Sequence, residues 1–407
     1  MPEWRNETMK MKKLLSLALA LCLLLALAAC GEASTTAAGS GSGSGGNVVR
    51  IGVFEPSTGD SASGGKKETL GMQFANQETP TVTVNGTEYR VELAIVDNGS
   101  STDKAPSAAS ELVSKDVALV LGSYGSGVSI AGGPKFEEAG IAAIGVTCTN
   151  PQVTAGNDYY FRICFLDPFQ GTVLANFAAD QFSATTAYCL GENGNEYDQG
   201  LIAFFRQAFE AAGGKVIADS FPTNNNDFTS YLNKAKSEGA DVIFTPVSIS
   251  YATQILTQAA SLGISSPFLG SDTLDDNMVL DAVKGTDIRL YVSTFYQEGG
   301  NTAFDDGIKN YINTDSAAKS ANGGNDTISA VTAMGYDAYY VAIEAIKKAG
   351  SVNKADILAA LPGVTYKGVS GDIAFDSTGD AIRDTAFIKT ADTASGTWTL
   401  ETVQKGS

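Results

Sequence analysis

Residues 121–171 read LGSYGSGVSIAGGPKFEEAGIAAIGVTCTNPQVTAGNDYYFRICFLDPFQG, and the same event occurs in them twice. An apolar run over 117–121 stops at Gly122. Small and hydroxyl residues follow (Ser123, Gly125, Ser126, Gly127, Ser129), and then a helical pattern begins. A second apolar run, 141–144, leads into Thr147-Cys148-Thr149 and is closed by Pro151. Both have the form of a strand-to-loop junction in an α/β sheet, where ligands bind outside the carboxyl ends of the strands. A helix starting at such a place offers free N–H groups that favour an anion such as a carboxylate.

Working outward, apolar runs at 48–54, 91–96, 117–121, 141–146, 186–190, 216–218 and 241–245 alternate with helical patterns at 107–115, 169–181, 200–212, 229–236 and 252–262. Near-continuous apolar strands separated by helices indicate parallel sheets covered on both faces. The pattern forms two blocks that break near 165–168, followed by a helix over 334–348 and a Gly-rich strand segment over 368–375. A chain of 407 residues suits two domains, and an apolar fraction of 43% is that of a globular core. The expected fold is α/β, with two doubly wound lobes.

Composition excludes whole classes of function. A net charge of −18 leaves no basic footprint for nucleic acid. The absence of histidine removes Ser-His-Asp and Cys-His activation and the commonest metal ligand. No GxSxG surrounds a serine, and Gly122-Ser123-Tyr124-Gly125-Ser126-Gly127 lacks the GxGxxG spacing of a dinucleotide loop. A binding protein without cofactor or metal is expected.

The first 29 residues read as an export signal. Lys10, Lys12 and Lys13 precede an apolar stretch over 14–26, which is too short to span a membrane with ordinary flanks. Leu27-Ala28-Ala29-Cys30-Gly31 matches the bacterial lipobox, so Cys30 is the expected lipidated residue and the membrane anchor. Residues 30–46, rich in Gly and Ser, form a flexible linker. Cys148, Cys164 and Cys189 remain beyond it, an odd set with no CxxC spacing, and free buried thiols are expected.

Several stretches together resemble the branched-chain amino-acid binding proteins of ABC importers, which have the type I periplasmic-binding fold. They are IGVFEPSTGDSASGG from Ile51, VELAIVDNGS, YYFRICFLDPFQG, GENGNEYDQG, NDFTSYLNKAKSEGADVIF, GYDAYYVAIEAIKKAGS and GVSGDIAFDSTGD near 368–380. The resemblance covers nearly all of the chain after the linker. It implies lobes over 47–166 plus 297–383 and 167–296 plus 384–407, joined by a three-strand hinge. It also implies a monomer that closes on a small-molecule amino acid and delivers it to an ABC permease, on the outer face of the bacterial membrane.

Amino-acid capture needs donors for a carboxylate and acceptors for an ammonium, in charge-assisted hydrogen bonds. By resemblance, Ser126 contacts the carboxylate; as a residue type it equally suits a helix N-cap. Thr147, Cys148 and Thr149 belong to the loop that holds both ends of the ligand, although Cys148 equally suits a core. Asp167 is a ligand-contacting acid or a cap of the following helix, and Asp272 pairs with the ammonium or is a solvated turn acid. Tyr197 closes over the ligand or is a half-buried loop residue, and Ser248 and Tyr251 offer a further wall. Gly64 stands where many relatives carry a side chain over the pocket, so a larger site open to a bulkier or polar ligand is expected. A ligand-sensing receptor subunit and a binder of amides or small aromatic acids stay open as alternatives.

Overall fold

The computed structural model describes residues 47–405; the expected signal segment, Cys30 and the linker lie outside the described residues. Strand β1 (Val48–Glu55) leads into helix α1 (Ala62–Glu78), and the hairpin β2 (Thr81–Val84) and β3 (Thr87–Asp97) follows. Then come α2 (Ala105–Ser114), β4 (Leu119–Leu121), α3 (Ser126–Glu138), β5 (Ala143–Gly145) and β6 (Tyr160–Arg162). These strands form a six-stranded sheet of order β2-β3-β1-β4-β5-β6, parallel except for the β2–β3 pair. The hairpin turn is Asn85-Gly86, with φ of 49° and 80°; paired left-handed residues match the twist of two strands joined by a two-residue loop.

The second sheet is built from α4 (Asp167–Phe182), β7 (Thr186–Glu192), α5 (Glu196–Ala211), β8 (Lys215–Phe221), α6 (Thr229–Ser237), β9 (Val242–Phe244), α7 (Ile249–Ser261), β10 (Phe268–Gly270), α8 (Asn277–Val283) and β11 (Leu290–Thr294). The chain then runs through α9 (Thr302–Thr314), α10 (Ser316–Ala321), α11 (Ala330–Ala349), α12 (Lys354–Ala360) and the hairpin β12 (Thr365–Gly368) and β13 (Gly371–Ala374). It returns to the second sheet as β14 (Thr385–Asp392) and β15 (Thr397–Lys405). That sheet has the order β15-β14-β11-β10-β9-β7-β8 and is parallel from β8 to β11. The Gly-rich segment expected as one strand over 368–375 is thus the turn and second arm of a hairpin.

Helix α1 was not among the expected helices. It buries Lys67 and Glu68 along with Leu70, Met72 and Phe74, so its sequence lacks a clean apolar stripe. It packs closely on α11: a Cβ on Gly71 would lie 2.0 Å from the Thr332 carbonyl oxygen, and one on Gly335 would lie 2.1 Å from that of Glu68. The crossing therefore requires glycine on both helices, and it fixes where the Glu68 side chain emerges. Cys148, Cys164 and Cys189 are free and buried. Burial pushes the Cys148 thiol up to about 11 and holds the other two well above the ordinary thiol range.

Arg162, at the end of β6, is completely buried and is not left unpaired. Its Nε donates to Asp380 Oδ1 at 2.5 Å, its Nη1 to the carbonyls of Cys148 (2.9 Å) and Asn150, and its Nη2 to Thr154 Oγ1 at 3.2 Å. One guanidinium thus shapes the 147–150 loop and pins it to the returning chain. Removing one partner of a buried ion pair strands the other, at a cost of about 3–5 kcal/mol. Arg162→Met is accordingly expected to lower stability by ~3–5 kcal/mol, read as a lower urea midpoint at unchanged slope.

Candidate functional site

The carboxyl ends of both sheets face one cleft. It contains a cavity of about 380 Å³ lined by Ser126, Thr147, Tyr197 and Ser248 among the expected residues, together with Tyr124, Glu192, Asp198 and Thr273. Ser126 opens α3, and Gly125, not Ser126, is the residue before the helix. No side chain caps that helix, so its first N–H groups are left for a ligand. The Ser126 hydroxyl instead accepts from the Asn150 N–H at 3.2 Å, which ties the two Gly- and Thr-rich loops together. Thr147 donates its hydroxyl to Glu68 Oε1.

The expected residues Asp167, Asp272 and Thr149 are buried and do not line the cavity. Asp272 Oδ1 accepts from the Tyr197 hydroxyl at 2.7 Å and from Gln170 Nε2 at 2.8 Å. Burial raises the Asp272 carboxyl to about 6, against the pull of those two donors. Asp167 is the first residue of α4 rather than its cap. It is fully buried, neither oxygen has a hydrogen-bond partner by geometry, and the hydroxyl of buried Thr149 beside it is likewise unpartnered. Burial lifts Asp167 to about 8, with the nearby Thr149 hydroxyl opposing and the Asp272 charge adding.

Two further carboxyls were not anticipated. Glu55 ends β1, and its Oε2 accepts the Tyr124 N–H at 2.7 Å. Burial first, and then the charge of Glu68, raises it well above the carboxylate range. Glu68 is raised to about 8 by burial, opposed by hydrogen bonds from Glu55 and Thr147. Glu55 could have been found, because it sits at a strand's carboxyl end where the ligand rule points; nothing in the local sequence marks Glu68.

Three expectations need correction. Gly64 does not enlarge the site: a Cβ there would lie 2.3 Å from Tyr124 Cε2, so the aromatic ring already fills that space. The Tyr124 hydroxyl donates across the cleft to the Thr273 carbonyl at 3.3 Å. Cys148 turns its thiol into the apolar cluster of Phe136, Val153 and Tyr160, so its Sγ does not line the cavity. Tyr251 packs on Phe221, with its hydroxyl donating to Glu192 Oε1 at 3.2 Å, and is not a cavity wall.

The lobes also touch directly. Buried Lys67 Nζ donates to Asp276 Oδ2 at 2.6 Å and to Asn277 Oδ1, and Ser63 donates to the same Asp276 oxygen at 2.8 Å. Among the described residues there is no group of three or more metal-ligating side chains placed to hold an ion.

Residues 48–396 match the periplasmic binding protein family model, and the chain belongs to that family. It is thus a solute-binding protein of the ABC-transporter type, not an enzyme, and it works outside the cytoplasm. It is 27% identical over 336 residues to Leu/Ile/Val-binding protein homolog 1 of Brucella suis, covering 82% of this chain and 87% of that one. The leucine-binding protein LivK of Thermotoga maritima superposes with a TM-score of 0.77 at 30% identity, over 88% of this chain and 99% of that chain. LivJ of Streptococcus pneumoniae, solved with isoleucine, gives a TM-score of 0.75 at 25% identity over 88% and 99%.

The raised carboxyls make stability depend on pH. Asp167 and Glu68, near 8, and Asp272, near 6, keep protons in the folded chain that an unfolded chain has lost above about pH 4. The folded state therefore binds more protons through that window, and stability falls as pH rises from about 4 to about 8. The ligand-free protein is expected to show a lower urea midpoint at about pH 8 than at about pH 5, and Asp167→Asn should flatten that slope.

Proposed function

We propose that the protein is the lipid-anchored solute receptor of an ABC importer and captures an α-amino acid, branched-chain or similar, between its lobes. The observation that carries this reading is the polarity of the cleft. One wall offers the uncapped start of α3 and the Ser126 hydroxyl, and the buried, unpartnered Asp167 carboxyl and Asp272 supply the acids. A carboxylate suits the first set and an ammonium the second.

In this reading 47–166 plus 297–383 and 167–296 plus 384–407 are the two lobes. Cargo binds the first lobe, and Tyr197, Ser248 and Asp272 then add contacts that favour the closed form. Cys30 carries the lipid, the Gly/Ser linker lets a monomeric body reach the permease, and no cofactor takes part. The names of the relatives support an amino-acid cargo.

A thermal-shift series with the twenty amino acids, small amides and benzoates tests this. A true cargo at ~100 times its Kd adds roughly 2.7 kcal/mol of stability. Ser126→Ala and Asp272→Ala are each expected to weaken binding of the active amino acid by about tenfold or more, since each removes a charge-assisted contact. A response to benzoates or amides alone would sink the ammonium role of Asp167 and Asp272.

A further inference from the structure

We propose that the cargo's side chain is itself cationic, so that the protein takes a basic α-amino acid in preference to an aliphatic one. This rests on the α-amino-acid part of the reading above, replaces its branched-chain part, and concerns the other end of the same ligand. The cavity that includes the start of α3, Thr147 and Tyr197 is also lined by Asp60, Asp103, Glu192, Glu196 and Asp198, and by no lysine or arginine. Pro56 and Val128 are its only aliphatic walls. An isobutyl group placed there would strip water from carboxylates without replacing it, and would meet little apolar surface in return.

Glu192 is the residue assigned to the cationic end. It closes β7 at the carboxyl end of the strand, half-buried, and is held in place by donors: Tyr251 Oη on Oε1 at 3.2 Å and Asn195 Nδ2 on Oε2 at 3.3 Å. Neither donor carries a charge, so the carboxylate is oriented but not neutralised. Beside it, Asp198 Oδ2 accepts the Glu192 N–H at 2.8 Å, while Asp198 Oδ1 is buried without a partner. Buried Lys67 does not line the cavity and is spent on Asp276 and Asn277. Tyr124 completes the shape: its ring takes the space beside Gly64 and lines the cavity, an aromatic wall for an aliphatic stem or a guanidinium. A volume of about 380 Å³ has room for an extended side chain.

The test is calorimetric titration of the purified full chain with arginine, lysine and ornithine against leucine, isoleucine and valine, at low and moderate salt. The expected result is at least tenfold tighter binding of one basic amino acid than of leucine, weakening as salt rises, with Glu192→Gln lowering that affinity about tenfold and moving the preference towards leucine. Binding of leucine, isoleucine or valine as tight as that of every basic amino acid overturns the proposal and leaves the amino-acid reading standing. Failure of all α-amino acids to bind overturns both.

Discussion

The cleft depends on a charge that never reaches it. Arg162 is enclosed, and through Asp380, Thr154 and the carbonyls of Cys148 and Asn150 it holds the second loop in one shape. With those carbonyls turned to the guanidinium, the loop can present the Thr147 and Thr149 hydroxyls elsewhere. Asn150 then donates its N–H to the Ser126 hydroxyl and its side-chain amide to the Glu196 carbonyl at 2.9 Å, so the same turn reaches α3 and the start of α5. A buried ion pair is weak evidence for stability, but removing half of one is expensive; here the pair serves to fix the geometry of a loop.

The acids of the cleft follow the opposite logic. Glu55 and Glu68 are enclosed side by side, and neither oxygen of enclosed Asp167 has a partner, a cost that a native fold bears only where something else is gained. Neutral carboxyls reduce the cost in the empty protein, and an arriving ammonium would let them ionise. Lys67 shows what a satisfied carboxylate looks like in the same neighbourhood: Asp276 receives its ammonium, a serine hydroxyl and the Met278 N–H. The contrast is between an acid paired by a buried lysine and acids enclosed without a cation.

Much of the fold was legible because buried parallel strands leave uninterrupted apolar runs, and Ser126, Thr147, Tyr197 and Ser248, which line the cavity, were singled out by resemblance on the loops that follow such runs. Helix α1 escaped because polar Lys67 and Glu68 point inward and break its stripe. The β2–β3 hairpin was signalled by Asn85-Gly86, yet only the later half of β3 was read as a strand. The partnerships that shape the cleft had no local signature at all. Lys67 meets Asp276 across 209 residues and Arg162 meets Asp380 across 218. Gly64 misled for the same reason, since the ring that replaces its missing side chain belongs to Tyr124, on the loop after β4.

The three enclosed cysteines have a consequence for maturation. Reaction at sulfur requires the thiolate, and each of these thiols is held above its ordinary range with no solvent path. Once folded, the body is indifferent to the redox potential around it. Among the described residues no disulfide has to form, and the odd number of cysteines leaves no exposed thiol to crosslink in an oxidising exterior.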